Sequence, residues 1–187
     1  MSYDLYGYRP SSALPNIEEA RAVISTEEGQ PRRNDEESRT INRKIANAIL
    51  DHNPRLEEFN PDFEKIAAFD KSTVEAAMAR WNHIELNPPE DDLAIQLTVY
   101  GDHVDLAIPY WYKEDEAAKI FELADGYLKV IRNTAGFFAY DPQEDRAFDP
   151  QKEGFGSHAN YERITRQVPT IASNYVSTTK KPWWKFW

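Results

Sequence analysis

The stretch "DLAIQLTVYGDHVDLAIPYWY", residues 92–112, contains two runs in which apolar residues occupy every second position. This period is typical of β-strands with one buried face. Gly101 and Asp102 separate the runs and are predicted to form a two-residue turn with glycine at its first central position. The stretch therefore predicts a β-hairpin. Pro109 cannot donate a backbone hydrogen bond and marks the end or an edge of the second strand.

The segments around this hairpin alternate between strand and helix patterns. Strands are predicted at residues 2–8 and in "FFAYDPQ", residues 137–143, with "RAFDP", residues 146–150, as a possible partner of the latter. Apolar residues recur at the helical period in residues 16–24, 36–50 and 113–136. The predicted order is β-α-α-β-β-α-β. It favours an α+β fold in which an antiparallel or mixed sheet carries helices packed on one face, plus a C-terminal extension.

Residues 51–81 have a weaker pattern. Two pieces, "LEEFNPDFEKIAAFD" and "STVEAAMARW", have the character of short helices or irregular structure, and Ser72 is a plausible N-terminal cap. The apolar residues of this segment are expected to be buried. They are Phe59, Phe63, Ile66 and Phe69.

Composition limits the classes of protein to which the chain can belong. The 187 residues include no cysteine, which excludes disulfides, thiolate nucleophiles and cysteine-ligated metal sites. The N-terminal residues have no signal-peptide pattern, and no apolar run approaches the roughly 18 residues of a membrane span. We therefore expect a cytoplasmic protein with one domain in residues 1–150 and a basic, aromatic extension in residues 151–187.

The charge is unevenly distributed. Residues 151–187 contain six Lys or Arg and two Glu and carry +4, which leaves −14 on residues 1–150 of the total of −10. Such an acidic body repels nucleic acid, so no nucleic-acid partner is expected. It attracts a basic partner and accelerates its capture, although acidity that serves solubility alone is an equally good explanation.

Two short motifs resemble a family of small bacterial proteins. "SYDLY", Ser2 to Tyr6, and "YDPQ", Tyr140 to Gln143, are similar to the first and last strands of that family. Many of its members resemble immunity proteins of polymorphic toxin systems. The resemblance covers residues 1–150 and implies a protein that binds a cognate toxin domain and occludes its active site. The acidic body indicates that this toxin domain is basic. The matched positions belong to strands and turns, so no catalytic residue is implied; Gly7 and the extension depart from the family pattern.

The motif content of the sequence favours a protein that is not an enzyme. Phosphate-binding, dinucleotide-binding and nucleophile-elbow motifs are absent, and no cofactor is predicted. The alternative is a small metal-dependent enzyme that uses His83 and His103 with the nearby carboxylates Glu85 and Asp105. A His-x-Asp pair on a strand places both side chains on one face, where they could bind a metal ion. Solvated side chains are the better explanation, and no metal site is predicted.

Acidic and aromatic residues near the hairpin are the predicted partner-binding set. Tyr and Trp beside carboxylates are typical of protein-binding surfaces. The set comprises Glu90, Asp91, Asp92, Asp102, Asp105, Trp111 and Tyr112.

The segment "KKPWWKFW", residues 180–187, has three possible contacts: its own domain, a partner or a membrane. The favoured hypothesis is a C-terminal strap, in which the lysines meet the acidic body while the aromatic residues fill an apolar groove between helix and sheet. Membrane contact is the weakest alternative because the acidic body opposes it. The strap residues are Trp183, Trp184, Phe186 and Trp187.

Overall fold

A computed structural model describes residues 2–25 and 35–153, apart from the side chain of Glu114. The extension after residue 153, including the predicted strap residues Trp183, Trp184, Phe186 and Trp187, lies outside the described residues. No helix in the described ranges is long and apolar enough to cross a membrane. The elements are β1 (Ser2–Tyr8), α1 (Ile17–Ile24), α2 (Glu36–His52), β2 (Glu57–Glu58), α3 (Phe63–Asp70), α4 (Val74–Arg80), β3 (Ile84–Asn87), β4 (Gln96–Val99), β5 (His103–Pro109), α5 (Glu114–Ala135), β6 (Phe138–Asp141) and β7 (Arg146–Phe148).

The strands form one antiparallel sheet, with the order β2-β3-β4-β5-β1-β6-β7. The predicted α+β fold is thus confirmed, and the sheet is antiparallel rather than mixed. The predicted hairpins are present as β4–β5 and β6–β7. Two short strands, β2 and β3, were not predicted because they have only two and four residues, too few for a clear alternation.

Helices α2 and α5 cover one face of the sheet and enclose the main core. Asp35 caps α2 by accepting a hydrogen bond from the backbone N–H of Ser38, as aspartate does at helix N-termini. The predicted apolar stripe of α5 is buried, with no member more than 5% exposed. These residues are Ala117, Ile120, Phe121, Ala124, Leu128 and Ile131. Their burial on one side of a 22-residue helix fixes α5 against the sheet.

The opposite side of the sheet, here called the outer face, has a different cover. Tyr3 and Leu5 of β1 belong to the main core, and the alternation of the strand directs Tyr6 and Tyr8 to the outer face. There Tyr8 is fully buried in a second apolar cluster with Ala20 of α1. The two long helices therefore lie on one face as predicted, whereas the short α1 packs on the other.

The motifs that resemble the bacterial family lie on the neighbouring strands β1 and β6. Tyr6 of β1 is paired with Tyr140 of β6. The Tyr3 hydroxyl donates a 2.7 Å hydrogen bond to Oδ2 of Asp141, and both side chains are completely buried. The turn after β6 is held by Oδ1 of Asp141, which accepts the N–H of Gln143 at 2.9 Å. In this chain, the matched residues join two strands and shape a turn.

Helices α3 and α4 correct two expectations about residues 51–81. The cap of α4 is Thr73, whose hydroxyl accepts the N–H of Ala76 at 3.1 Å, and Ser72 lies one residue earlier. Phe59 and Phe69 are 42% and 89% exposed, so the prediction that both are buried is wrong. Phe69 is exposed because α3 and α4 pack mainly against each other, which leaves the far side of α3 in water. Phe59 lies outside both helices and directly follows β2, the short strand at the edge of the sheet.

Candidate functional site

Four aromatic rings stand side by side on the outer face and are here called the ring ladder: Trp81, His83, Tyr100 and His103. The centroids of successive rings are 4.4 Å apart for Trp81 and His83, 5.3 Å for His83 and Tyr100, and 4.5 Å for Tyr100 and His103. The last pair is stacked, with 15° between the ring planes. Phe59 also contacts the Trp81 end of the ladder, with centroids 6.0 Å apart.

The strand register explains why these rings meet. Ile84 pairs with Val99 and Val99 with Val104, so the neighbours of these residues fall in one row across β3, β4 and β5. The β4–β5 turn closes with a 2.8 Å hydrogen bond from the Tyr100 N–H to the His103 carbonyl. Residues next to the core-facing valines point to the opposite face. The ladder is therefore a direct consequence of the hairpin register.

Carboxylates flank the ladder on its own face. His83 Nε2 lies 3.0 Å from Oε1 of Glu85. His103 Nδ1 lies 2.5 Å from Oδ1 of Asp102, and its Nε2 lies 3.4 Å from Oδ1 of Asp105. The His103 side chain is 1% exposed, whereas the three carboxylate side chains are 21–34% exposed. The imidazoles are thus fixed by stacking and by their carboxylates, and the carboxylate side chains are partly exposed.

The residues of the metal-enzyme hypothesis come together here, but as two separate pairs. His83 faces Glu85, and His103 lies between Asp102 and Asp105. Within residues 2–25 and 35–153 no group of three or more His, Cys, Asp or Glu side chains is arranged to hold a metal ion. The described geometry accordingly gives the metal-dependent alternative no support.

The predicted partner-binding residues occupy two places. Asp102 and Asp105 adjoin the ring ladder, whereas Glu90, Asp91 and Asp92 lie in the loop between β3 and β4, at the opposite end of the strands. The two ends of the strands are separated by the length of β5, which has seven residues. At the rise per residue of a β-strand, this length is about 20 Å. The structure does not join the set into one cluster.

The two aromatic members of the set differ in exposure. Trp111 is 55% exposed and remains available to a partner. Tyr112 is only 7% exposed, and its hydroxyl oxygen accepts a 2.6 Å hydrogen bond from the N–H of Ala94. Burial raises the pKa of the Tyr112 hydroxyl. The expectation that Tyr112 lies on the surface is therefore wrong, because it anchors the loop before β4 in the core.

A shallow groove on the helical side of the domain lies near the β3–β4 loop. Its lining includes His52 at the end of α2, Asp92 and Leu93 in the loop, and Lys119 and Glu122 of α5. Charges of both signs meet in this groove. It has no preference for one sign of charge, in contrast to the outer face.

The sequence does not show the ring ladder as a unit, although parts of its pattern are visible there. Trp81, His83 and Glu85 have the i, i+2 spacing of one strand face, as do His103 and Asp105. The four-residue strand β3 was not identified, so the two sets of side chains could not be assigned to neighbouring strands. Comparison of the chain with protein-family models, curated proteins and solved structures gives no match.

Proposed function

We propose that the chain is an immunity-type inhibitor, a cytoplasmic protein that binds a basic toxin domain through its outer face and blocks that domain's active site. One observation carries the proposal. The adjacent strands β2, β3, β4, β5 and β1 contain no Lys or Arg, and four of their carboxylates belong to the outer face. These are Asp4, Glu57, Glu85 and Asp105, all at least partly exposed.

The acidic outer face favours a positively charged partner. The −14 charge of residues 1–150 extends this preference beyond direct contacts. Complementary charges accelerate association and make its rate depend on ionic strength. A phosphate backbone is repelled by the same field. A basic protein whose substrate is itself anionic fits this surface, since the carboxylates would occupy the cationic groups that bind the substrate.

The ring ladder adds contacts that charge alone does not provide. Trp81 and Tyr100 are partly exposed beside the carboxylates of Glu85 and Asp105. Arg and Lys bind favourably over aromatic rings, and aromatic residues are enriched among the strongest contacts of protein interfaces. The ladder also needs little reordering when a partner arrives, because stacking already fixes its rings.

The resemblance of Ser2–Tyr6 and Tyr140–Gln143 to a family with immunity-like members is the second support. It concerns residues that hold the sheet together, so it supports the scaffold of such a protein. The carboxylates and rings of the outer face support the assignment of the partner surface.

Co-expression with the candidate toxin encoded beside this chain tests the proposal. We expect restored growth and a complex that elutes as one species in gel filtration. The double variant Glu85→Gln/Asp105→Asn should weaken the complex about tenfold or more at low salt, because charge-assisted contacts at an interface are lost. The double variant should reduce the affinity of the complex by a smaller factor at high salt, where screening has already weakened these contacts.

The matched control is Asp51→Asn/Glu64→Gln, which removes the same charge from exposed positions on α2 and α3. We expect this control to change the dissociation constant less than threefold. Continued killing by the toxin with no detectable complex would overturn the proposed function. Equal weakening by the two double variants would show that net charge, and not the outer face, is responsible.

A further inference from the structure

The segment "KKPWWKFW", residues 180–187, is the sequence motif that the proposed function does not use. It combines three lysines with four large aromatic residues. A surface that binds such a segment must contain both carboxylates and aromatic rings. Lysines form charge-assisted hydrogen bonds with carboxylates, and tryptophans bury most of their area against apolar or aromatic neighbours.

The outer face offers both within a short distance. Glu85 and Asp105 are paired with the same residue, Thr98 of β4, from its two sides. Two strand spacings, about 9.5 Å, therefore separate them. Lys181 and Lys185 are about 13 Å apart in an extended chain, which matches this spacing once their flexible side chains are included. The ring ladder lies one row away on the same face.

The competing surface is the groove on the helical side, and its charges argue against it. Lys119 lines that groove beside Asp92 and Glu122, so a segment with three lysines meets a cation there. The carboxylate row of the outer face contains no Lys or Arg from its strands. The residues of the main core fill the interior between the helices and the sheet.

The chain is long enough for residues 180–187 to reach the outer face. Twenty-six residues lie between Glu153, where the described structure ends, and Lys180. They can span up to about 90 Å when extended, more than the width of a domain of this size. Attachment through the same chain also gives the segment an effective concentration in the millimolar range.

We propose that the outer face is a binding site for a basic, tryptophan-rich peptide segment and that residues 180–187 of the same chain are its occupant. The lysines of the segment bind Glu85 and Asp105, and its tryptophans contact the exposed edges of the ring ladder. If the proposed inhibitory function is correct, the segment competes with the toxin, which must displace it. The docking itself does not depend on that function.

The experiment uses the full chain and a fluorescently labelled peptide of sequence KKPWWKFW as the probe, measured by anisotropy. In the wild-type chain the attached segment should keep the site occupied. The full-length variant Lys180→Gln/Lys181→Gln/Lys185→Gln should release the site and bind the labelled peptide at least tenfold more tightly than the wild type. Adding Glu85→Gln/Asp105→Asn to this variant should abolish its increase in affinity for the labelled peptide.

Two controls make the result specific. Asp92→Asn/Glu122→Gln in the same released variant removes two carboxylates from the competing groove and should leave the affinity within threefold. A peptide with its lysines replaced by glutamine should bind at least tenfold more weakly. Equal affinity of the wild-type and released chains for the labelled peptide would overturn the proposal. So would a loss of peptide affinity caused by the groove variant instead of the outer-face variant.

The outcomes separate this inference from the proposed function. A chain that binds the peptide as described but fails to protect against the toxin contradicts the inhibitory function alone. A chain that protects against the toxin, but whose released variant shows no increase in peptide affinity, contradicts only the inference that residues 180–187 bind the outer face.

Discussion

The replacement Gly101→Ala tests how the ring ladder is held in place. Gly101 lies in the β4–β5 turn, and a Cβ atom built on it would lie 2.4 Å from Cβ, 2.6 Å from Oγ and 3.0 Å from Cα of Ser38 in α2. Carbon atoms pack at about 3.5–4.0 Å. Ser38 is 1% exposed in the first turn of its helix, so neither its Cα nor its Cβ can move away alone.

The turn or the helix must therefore shift by about 1 Å to accommodate the methyl group. Overpacking of this kind costs about 1–3 kcal/mol, and contact with backbone atoms places this case near the upper value. One kcal/mol changes the Tm by about 2–4 °C in a domain of this size. We expect Gly101→Ala to lower the Tm by about 6–12 °C, as measured by circular dichroism or scanning calorimetry.

The matched control is Gly126→Ala in α5. The nearest atom to its added Cβ is Nε2 of His52, at 3.1 Å, at the end of an exposed side chain that can swing away. Alanine is favoured over glycine inside a helix by about 0.5–1 kcal/mol. The Tm of this variant should stay constant or rise slightly.

A further substitution identifies the clash itself. Ser38→Gly removes the Cβ and Oγ atoms that the new methyl group meets, so Gly101→Ala should cost at least 1 kcal/mol less in that background, as double-mutant cycles reveal for residues in contact. A Tm of Gly101→Ala within 2 °C of the wild type would refute the steric argument. So would equal shifts for Gly101→Ala and Gly126→Ala.

Two further predictions concern buried carboxylates. Tyr3→Phe removes the hydroxyl that donates to the fully buried Asp141 and should lower the free energy of unfolding by about 1–3 kcal/mol in urea titrations; an unchanged midpoint would contradict a structural role for this pair. The Arg132 guanidinium, with the N–H of Gln151, holds the pKa of Asp149 below its ordinary value of 3.8. Because the folded pKa is lowered, the stabilisation is present above about pH 4 and is lost as the pH falls through the folded pKa. Asp149→Asn should therefore lower stability at pH 7 more than at pH 2–3 and flatten the acid limb of the stability curve; parallel curves would contradict this assignment.

Local patterns were sufficient to predict the elements whose signals lie within a few residues. The β4–β5 hairpin and the apolar stripe of α5 follow from alternation and from the helical period. Gly101 shows the limit of such reasoning. Among the described glycines, Gly136 is the one with a positive φ, so the glycine in the hairpin turn serves the close approach of Ser38 rather than turn geometry.

The candidate site required tertiary structure because its parts come from separate places in the chain. The sequence shows His83 beside Glu85 and His103 beside Asp105, and it shows an excess of acidic residues in the first 150 positions. It does not show that a four-residue strand places His83 against Tyr100, since short strands lack a periodic signal. Nor does it show that Tyr112 turns inward while Trp111 stays outside.

The fold class and the sign of the charge could therefore be predicted from the sequence, because both are properties of local pattern and composition. Tertiary structure decided which carboxylates share a face with which rings, because strand register sets that arrangement. A shift of one residue in that register would move every side chain of β4 to the other face.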